Sequence, residues 1–147
     1  MSGYSQDEVI FAMQTKCTTL EKLLAYRLDN QHKFTTVHLS VMLAKLRNFL
    51  SDKTEVSAET RSDASTLYNS TCRYLIQNLS ELDVTSLSST LSILAKDLSE
   101  VGVPRYIPDQ SKLAQIESHI IQNFDAFINS DISVVASSLL RLHYPAR

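Results

Sequence analysis

The chain has 147 residues, a formal net charge of −2, 44% hydrophobic residues and no tryptophan. This length fits one domain with a substantial core, and the overall acidity argues against a uniformly basic nucleic-acid binder. With only two glycines and three prolines, long helices are favoured and sheet turns have little support. No run of 18 apolar residues occurs, so we expect no transmembrane helix, and we recognise no signal peptide or ordinary presequence.

The first fifty residues predict two helices, near 6–30 and 35–50. Ser5 and Glu8 match a capping box at the start of the first helix. Residues 29–33 form the turn, and Thr35 is the predicted cap of the second helix. The apolar face of the first helix comprises Val9, Ala12, Met13, Leu20, Leu23, Leu24 and Leu28.

Two further helix pairs follow, near 62–80 and 83–100 and near 110–129 and 131–144. Residues 51–62 are polar and predict a loop. Residues 101–109 contain Gly102, Pro104 and Pro108 and predict the longest break. In that break Arg105 and Tyr106 suit either a recognition point or, as we favour, a plain connector. The third pair begins at Asp109 or Ser111 and carries the most apolar face: Ile116, Ile120, Ile121, Phe124, Phe127 and Ile128.

The second helices of the three pairs align without a gap at a spacing of 48 residues. The segments are TTVHLSVMLAKLRNFL from Thr35, DVTSLSSTLSILAKDL from Asp83 and DISVVASSLLRLHYP from Asp131. These three first residues are the predicted caps. The aligned apolar sets are Leu39, Leu87 and Val135; Leu43, Leu91 and Leu139; and Leu46, Leu94 and Leu142.

The first helices of the pairs follow the same spacing, which is typical of a stacked helical array. We therefore predict an all-α fold: one helical-repeat domain over residues 1–147, a short right-handed-type αα solenoid of about three units, near 6–50, 62–100 and 110–144. Chance alignment of Leu-rich helices is the alternative. The aligned sets are Leu20, Tyr68 and Ile116; Leu24, Cys72 and Ile120; Leu28, Ile76 and Phe124; and Gln31, Leu79 and Phe127, in which Gln31 is the misfit.

The sequence offers no catalytic or metal site. Cys17 and Cys72 have no CxxC spacing, and Cys72 falls on the apolar face of its helix, where it serves as a small core residue. His38 and His119 sit beside apolar residues and suit ordinary structural roles. We therefore expect no enzyme, no cofactor, no metal and no small-molecule substrate.

Positive charge is concentrated in the first unit. Residues 1–50 hold six Lys and Arg against four Asp and Glu, whereas residues 51–100 hold four against eight. A solvated helix surface explains this bias, and contact with a polyanion such as RNA is the competing interpretation. The candidate RNA or partner contacts are Lys16, Lys22, Arg27, Lys33, Lys45 and Arg47.

The stripe helices at Asp83 and Asp131 resemble the second helix of degenerate helical-repeat families, of the HEAT and the octotricopeptide or heptatricopeptide kinds. The resemblance covers residues 20–144. It implies a subunit of a mitochondrial ribosome or organellar RNA-processing complex that binds RNA and neighbouring proteins. The 48-residue period and the lack of a basic surface depart from those families, and no RNA-contacting residue transfers by motif.

Two functions therefore compete. One is a non-enzymatic ribonucleoprotein subunit, located in mitochondria. The other is a protein-only scaffold or adaptor, in mitochondria or in the cytoplasm, that holds partner helices or peptides. Either use would place the uncovered apolar end of the third unit against a neighbouring protein.

Overall fold

The computed structural model describes residues 7–51, 56–95 and 108–143. Within these ranges the protein is all-α and contains no strand, as predicted. Three short 3₁₀ turns, at Gln31–Lys33, Leu79–Glu81 and Phe124–Ala126, join successive helices. The helices are α1 (Glu8–Thr15), α2 (Leu20–Asp29), α3 (Thr36–Ser51), α4 (Ala58–Gln77), α5 (Val84–Ala95), α6 (Gln110–Gln122) and α7 (Asn129–His143).

The N-terminal region forms two helices rather than the one that we predicted near 6–30. Helix α1 ends at Thr15, and α2 starts afresh because the Thr19 hydroxyl accepts the Lys22 amide N–H. The cap of α1 also differs from the prediction. Asp7 caps it, by accepting the amide N–H groups of Val9 and Ile10, and Ser5 lies outside the described residues.

Helix α4 begins earlier than predicted. Ser57 accepts the amide N–H of Thr60, so α4 starts at Ala58, inside the stretch that we interpreted as a polar loop. The rest of the helix predicted near 83–100, beyond Ala95, lies outside the described residues. So does most of the predicted break, including Gly102, Pro104, Arg105 and Tyr106. On the far side of the break, Asp109 caps α6 through the Lys112 amide N–H.

The same connection joins the two helices of each unit. An asparagine ends the first helix, and its side-chain amide donates to the carbonyl oxygen four residues earlier, at 2.8–3.0 Å. A 3₁₀ turn and an extended apolar residue follow, and then the next helix begins. The asparagines are Asn30, Asn78 and Asn123, and the extended residues are Phe34, Leu82 and Phe127.

These connections are not evenly spaced along the chain. Asn30 and Asn78 lie 48 positions apart, whereas Asn78 and Asn123 lie 45 apart. The predicted cap at Asp131 is therefore wrong, because α7 already begins at Asn129 and Asp131 lies in its first turn. Helix α7 therefore begins three residues earlier than the alignment predicts. Three residues correspond to about 300°, or nearly one helical turn, and Val135 and Leu142 remain buried.

Helix α5 is central to the packing. It contacts α3 on one side and α7 on the other, while α4 contacts α2, α3 and α5. Leu87 and Leu91 of α5 are buried, as the apolar stripe predicts. Ser88 is buried on the same helix and Ser92 is exposed. The small serine side chain at position 88 would allow close helix approach there.

The aligned apolar sets of the first helices are buried only in part. Leu20, Tyr68 and Ile116 are buried. In the second aligned set Cys72 and Ile120 are buried, and Leu24 is half-buried. In the third aligned set only Ile76 is buried, so the prediction that Leu28 and Phe124 are buried with it is wrong. Leu28 and Phe124 are exposed, at 69% and 52%.

Candidate functional site

Two of the six candidate basic residues are freely exposed. Lys16 follows the end of α1, where its backbone N–H donates to the Ala12 carbonyl oxygen. Lys22 lies in the first turn of α2, and its Nζ is 3.3 Å from the Thr18 hydroxyl oxygen. Both side chains are solvated, so the ammonium groups remain accessible to a partner.

Arg27 and Lys33 lie on either side of the end of α2 and have intramolecular partners. The Lys33 Nζ is 3.2 Å from Glu8 Oε1, which ties the 3₁₀ turn to the start of α1. The Arg27 guanidinium lies 4.8 Å from the centre of the Phe34 ring, a cation–π distance.

Lys45 and Arg47 belong to the C-terminal half of α3 and are half-buried. The Lys45 Nζ lies 5.5 Å from the centre of the Phe49 ring. Arg47 donates from Nη2 to Asn48 Oδ1 at 3.3 Å, while its Nε is buried and has no hydrogen-bond partner within the described part of the chain. The six candidates thus occupy three settings: Lys16 and Lys22 are exposed at α1–α2, Arg27 and Lys33 have intramolecular partners at the end of α2, and Lys45 and Arg47 are half-buried on α3.

The setting around Phe34 contains a cavity of about 340 Å³ between α2, the start of α3 and α4. Its wall on α4 consists of residues spaced by three or four positions, a face separate from the core face of that helix. This spacing is visible in the sequence, but nothing in the sequence pairs it with Arg27. The cavity is lined by Arg27, Phe34, Leu39, Leu67, Ser70, Thr71 and Tyr74.

No known protein family, curated protein or solved structure matches this chain. The candidate sites therefore depend on the chain's own geometry. Among the described residues, no helix combines the length and the hydropathy that a membrane span requires. No three His, Cys, Asp or Glu side chains in these ranges cluster as a metal site.

A second cavity of about 340 Å³ lies between α5 and α7 and is rich in serine. It includes Ser92, one of the hydroxyls that the sequence places beside the apolar stripe of α5. The remaining lining residues are Ala95, Ser133, Val134, Ser137, Ser138 and Arg141. Ser138 is itself buried and donates to the Val134 carbonyl oxygen at 2.7 Å.

Asp7 and His38 form a hydrogen-bonded pair that joins α1 to α3. His38 is buried, its Nε2 is 2.8 Å from Asp7 Oδ2, and its Nδ1 accepts the Thr35 backbone N–H at 2.9 Å. Because Nδ1 accepts, the ring proton lies on Nε2 and is donated to the carboxylate. Both ring nitrogens are satisfied within the fold, which is the structural role expected for this histidine.

Exposed apolar side chains are concentrated in the third unit. Eight large hydrophobic residues are exposed among those described, and five of them fall between positions 121 and 140. We call these five, which are grouped by their position along the chain, the α6–α7 apolar surface: Ile121, Phe124, Ile128, Val134 and Leu140. Sequence reasoning anticipates Ile121, Phe124 and Ile128 as parts of an apolar face, but it does not indicate which of its members are left uncovered.

Proposed function

We propose that this protein is a non-enzymatic helical subunit of a larger assembly and that it binds a neighbouring protein through the α6–α7 apolar surface. The observation that carries the proposal is the concentration of exposed apolar side chains at this end. Single exposed hydrophobic residues are common on soluble proteins, whereas a group of them marks an interaction site.

Comparison with the middle unit supports this proposal. Counted from the helix-ending asparagines, Ile121 and Phe124 of the third unit correspond to Ile76 and Leu79 of the second. Ile76 is 2% exposed, and α6 packs against the 3₁₀ turn that contains Leu79. Ile121, at 72% exposure, lacks such a cover, as does Leu28, the corresponding residue of α2, at 69%. A partner helix laid against the third unit would bury the same positions that α6 helps to bury in the second.

The proposal is tested by isolating the tagged protein from its own cells at low and high salt, with and without ribonuclease, and identifying the bound proteins. A double variant, Ile121→Ser with Phe124→Ser, should lose these proteins. Leu28→Ser is the matched control, because Leu28 is equally exposed but lies on α2. Retention of the same proteins by the double variant, or equal loss with the control, would rule out this surface.

A second candidate is the ribonucleoprotein subunit that the repeat resemblance implies, arranged as a short αα solenoid and located in mitochondria. Its support is the exposure of Lys16 and Lys22 together with the basic balance of residues 1–50. Lys33 is paired with Glu8, which reduces the charge that the first unit offers to phosphates. This pairing makes protein binding the better supported of the two functions.

RNA binding has its own test. Fluorescence anisotropy with a labelled single-stranded RNA at increasing salt should show affinity that falls steeply with salt, because phosphate contacts release counterions. Lys16→Gln with Lys22→Gln should weaken that binding and reduce the salt slope. Arg73→Gln, which removes an exposed charge from α4, is the control. Equal effects of the two changes would indicate non-specific attraction only.

A further inference from the structure

The cavity around Phe34 contains a cation whose hydrogen-bonding capacity is unused. Arg27 Nε and Nη1 are buried and have no hydrogen-bond partner among the residues that the structure describes. Burial alone lowers the pKa of Arg27. No carboxylate among the described residues contributes to that shift or forms a salt bridge with the guanidinium. A buried charged donor that lacks an acceptor is costly, and the face of Phe34 offsets only part of that cost.

The described residues of the cavity wall carry one formal charge. Apart from Arg27, the lining residues are apolar, aromatic or hydroxylic, and none is acidic. An anion entering the cavity would therefore meet a single positive charge and no repulsion from its lining. A monoanion matches that charge, whereas a phosphate dianion would leave one negative charge uncompensated in a partly buried place.

Hydroxyl groups complete the polar side of the cavity. The Ser70 hydroxyl donates to the Leu67 carbonyl oxygen at 3.1 Å and is occupied. Thr71 is buried, and its hydroxyl makes no hydrogen bond to another residue in the described ranges. The Tyr74 hydroxyl belongs to an exposed side chain at the opening. Thr71 and Tyr74 can each donate to an anionic oxygen.

The other walls are apolar. Leu39 and Leu67 line the cavity. The centre of the Phe34 ring is 4.8 Å from the Arg27 guanidinium and 6.0 Å from the centre of the His38 ring. At about 340 Å³ the cavity is at the small end of the range for organic ligands. A ligand with a flat apolar body would lie against these walls while its charged group reaches Arg27.

From this arrangement we infer that the cavity between α2 and α4 binds a small organic monocarboxylate with an aromatic or flat apolar body. The Arg27 guanidinium holds the carboxylate, Thr71 and Tyr74 donate to it, and Leu39 and Leu67 contact the body. The ligand is bound and not converted, and this site is separate from the α6–α7 apolar surface.

Sodium benzoate serves as the test ligand, and benzamide as its neutral counterpart of the same shape. Amide resonances of the ¹⁵N-labelled full-length chain are followed by NMR during titration at constant ionic strength. Benzoate should shift the resonances of Phe34, Ser70, Thr71 and Tyr74 and the Arg27 Nε–H signal in a saturable way. Benzamide should bind at least about tenfold more weakly, since it lacks the charge-assisted hydrogen bonds.

Arg27→Gln should reduce benzoate affinity by about tenfold or more, while Arg73→Gln should leave it unchanged. The comparison of benzoate with benzamide uses the unaltered protein, so it remains decisive if Arg27→Gln perturbs folding. Unsaturable shifts, equal binding of benzamide, or undiminished binding by a folded Arg27→Gln variant would each overturn the proposal. Tighter binding of inorganic phosphate than of benzoate would overturn the assignment to a monocarboxylate.

Discussion

At the scale of single residues, Asp7 has two functions in the fold. One carboxylate oxygen caps α1 and the other accepts the His38 Nε2 proton, so the residue fastens α1 to α3. Burial alone would raise its pKa, but the hydrogen bonds from His38 and from the Ile10 and Val9 amides outweigh burial and lower the pKa below 3.8.

Asp7→Ala is expected to reduce the free energy of unfolding at pH 7 by about 1–3 kcal/mol, because it removes a cap and leaves a buried ring nitrogen without its acceptor. A lowered carboxyl pKa stabilises the fold above the unfolded pKa and loses that effect as pH falls through the folded pKa. In urea unfolding, the difference in free energy of unfolding between the unaltered protein and Asp7→Ala should therefore shrink as the pH falls below about 3.8. Asp63→Ala, at an exposed site on α4, should change stability by less than about 0.5 kcal/mol.

Cys72 leads to a prediction about reactivity. Its side chain is fully buried, and burial raises the pKa of the thiol to about 12. Because only the thiolate reacts, native protein at pH 8 should resist iodoacetamide at Cys72 and be modified there after denaturation. Mass spectrometry reads the result, with an added exposed thiol, Ser62→Cys, as the reactive control. Rapid native alkylation of Cys72 would contradict the buried position.

The raised pKa of the Cys72 thiol also makes the free energy of unfolding depend on pH. The unfolded chain loses the Cys72 proton near pH 9, whereas the folded protein retains it up to about pH 12. Between these values the folded state binds more protons, so this thiol makes the free energy of unfolding fall as pH rises above 9. Below pH 9 it gives no pH dependence.

At the scale of helices, the caps show which sequence signals suffice. Asp83 was predicted as a cap and accepts the Ser86 amide N–H at 2.7 Å. Asp131 has the same sequence context, yet it lies in the first turn of α7, where only the helix dipole favours it. The difference arises from the preceding turn. Asn123 lies eight residues before Asp131, whereas Asn78 lies five residues before Asp83, so α7 begins three residues earlier than the alignment predicts.

The two aspartates therefore provide a matched pair for mutagenesis. Asp83→Ala should cost about 1 kcal/mol, within the range for loss of a cap, while Asp131→Ala should cost a few tenths, as expected for loss of a charge near a helix N-terminus. Urea unfolding of both variants measures the difference. A larger loss at Asp131 than at Asp83 would mean that α7 begins where the sequence alignment placed it.

At the scale of the whole molecule, α5 connects helices from different parts of the chain, since it contacts α3, α4 and α7. Leu91 is fully buried at its centre. Leu91→Ala should lower the free energy of unfolding by about 2–5 kcal/mol as a core truncation. Leu140→Ala, which removes an exposed leucine from α7, should change it by less than about 0.5 kcal/mol. If Leu91→Ala lowered the free energy of unfolding by less than about 0.5 kcal/mol, the Leu91 side chain would lie outside the core.

The sequence predicts the all-α class and the buried stripe of α3 and α5, because helical spacing of leucines and a cap are local signals. It does not predict the break between α1 and α2. The apolar residues on both sides of the break favour one continuous helix, whereas Thr19 caps a new helix. The cavity at Arg27 lies beyond such reasoning for another reason. It depends on which face of α4 is turned toward α2, and spacing within one helix does not determine that orientation.

The spacing between successive helix-ending asparagines changes from 48 to 45 residues. This change indicates which insertions and deletions the chain can tolerate. Each residue added to or removed from a helix turns its side chains by about 100°, so changes of three or four residues nearly restore the buried face, whereas two residues invert it. The third unit is already offset by three. Deletions of one helical turn should therefore be far better tolerated near the start of α7 than deletions of two residues, which would bring polar side chains into the position of Val135.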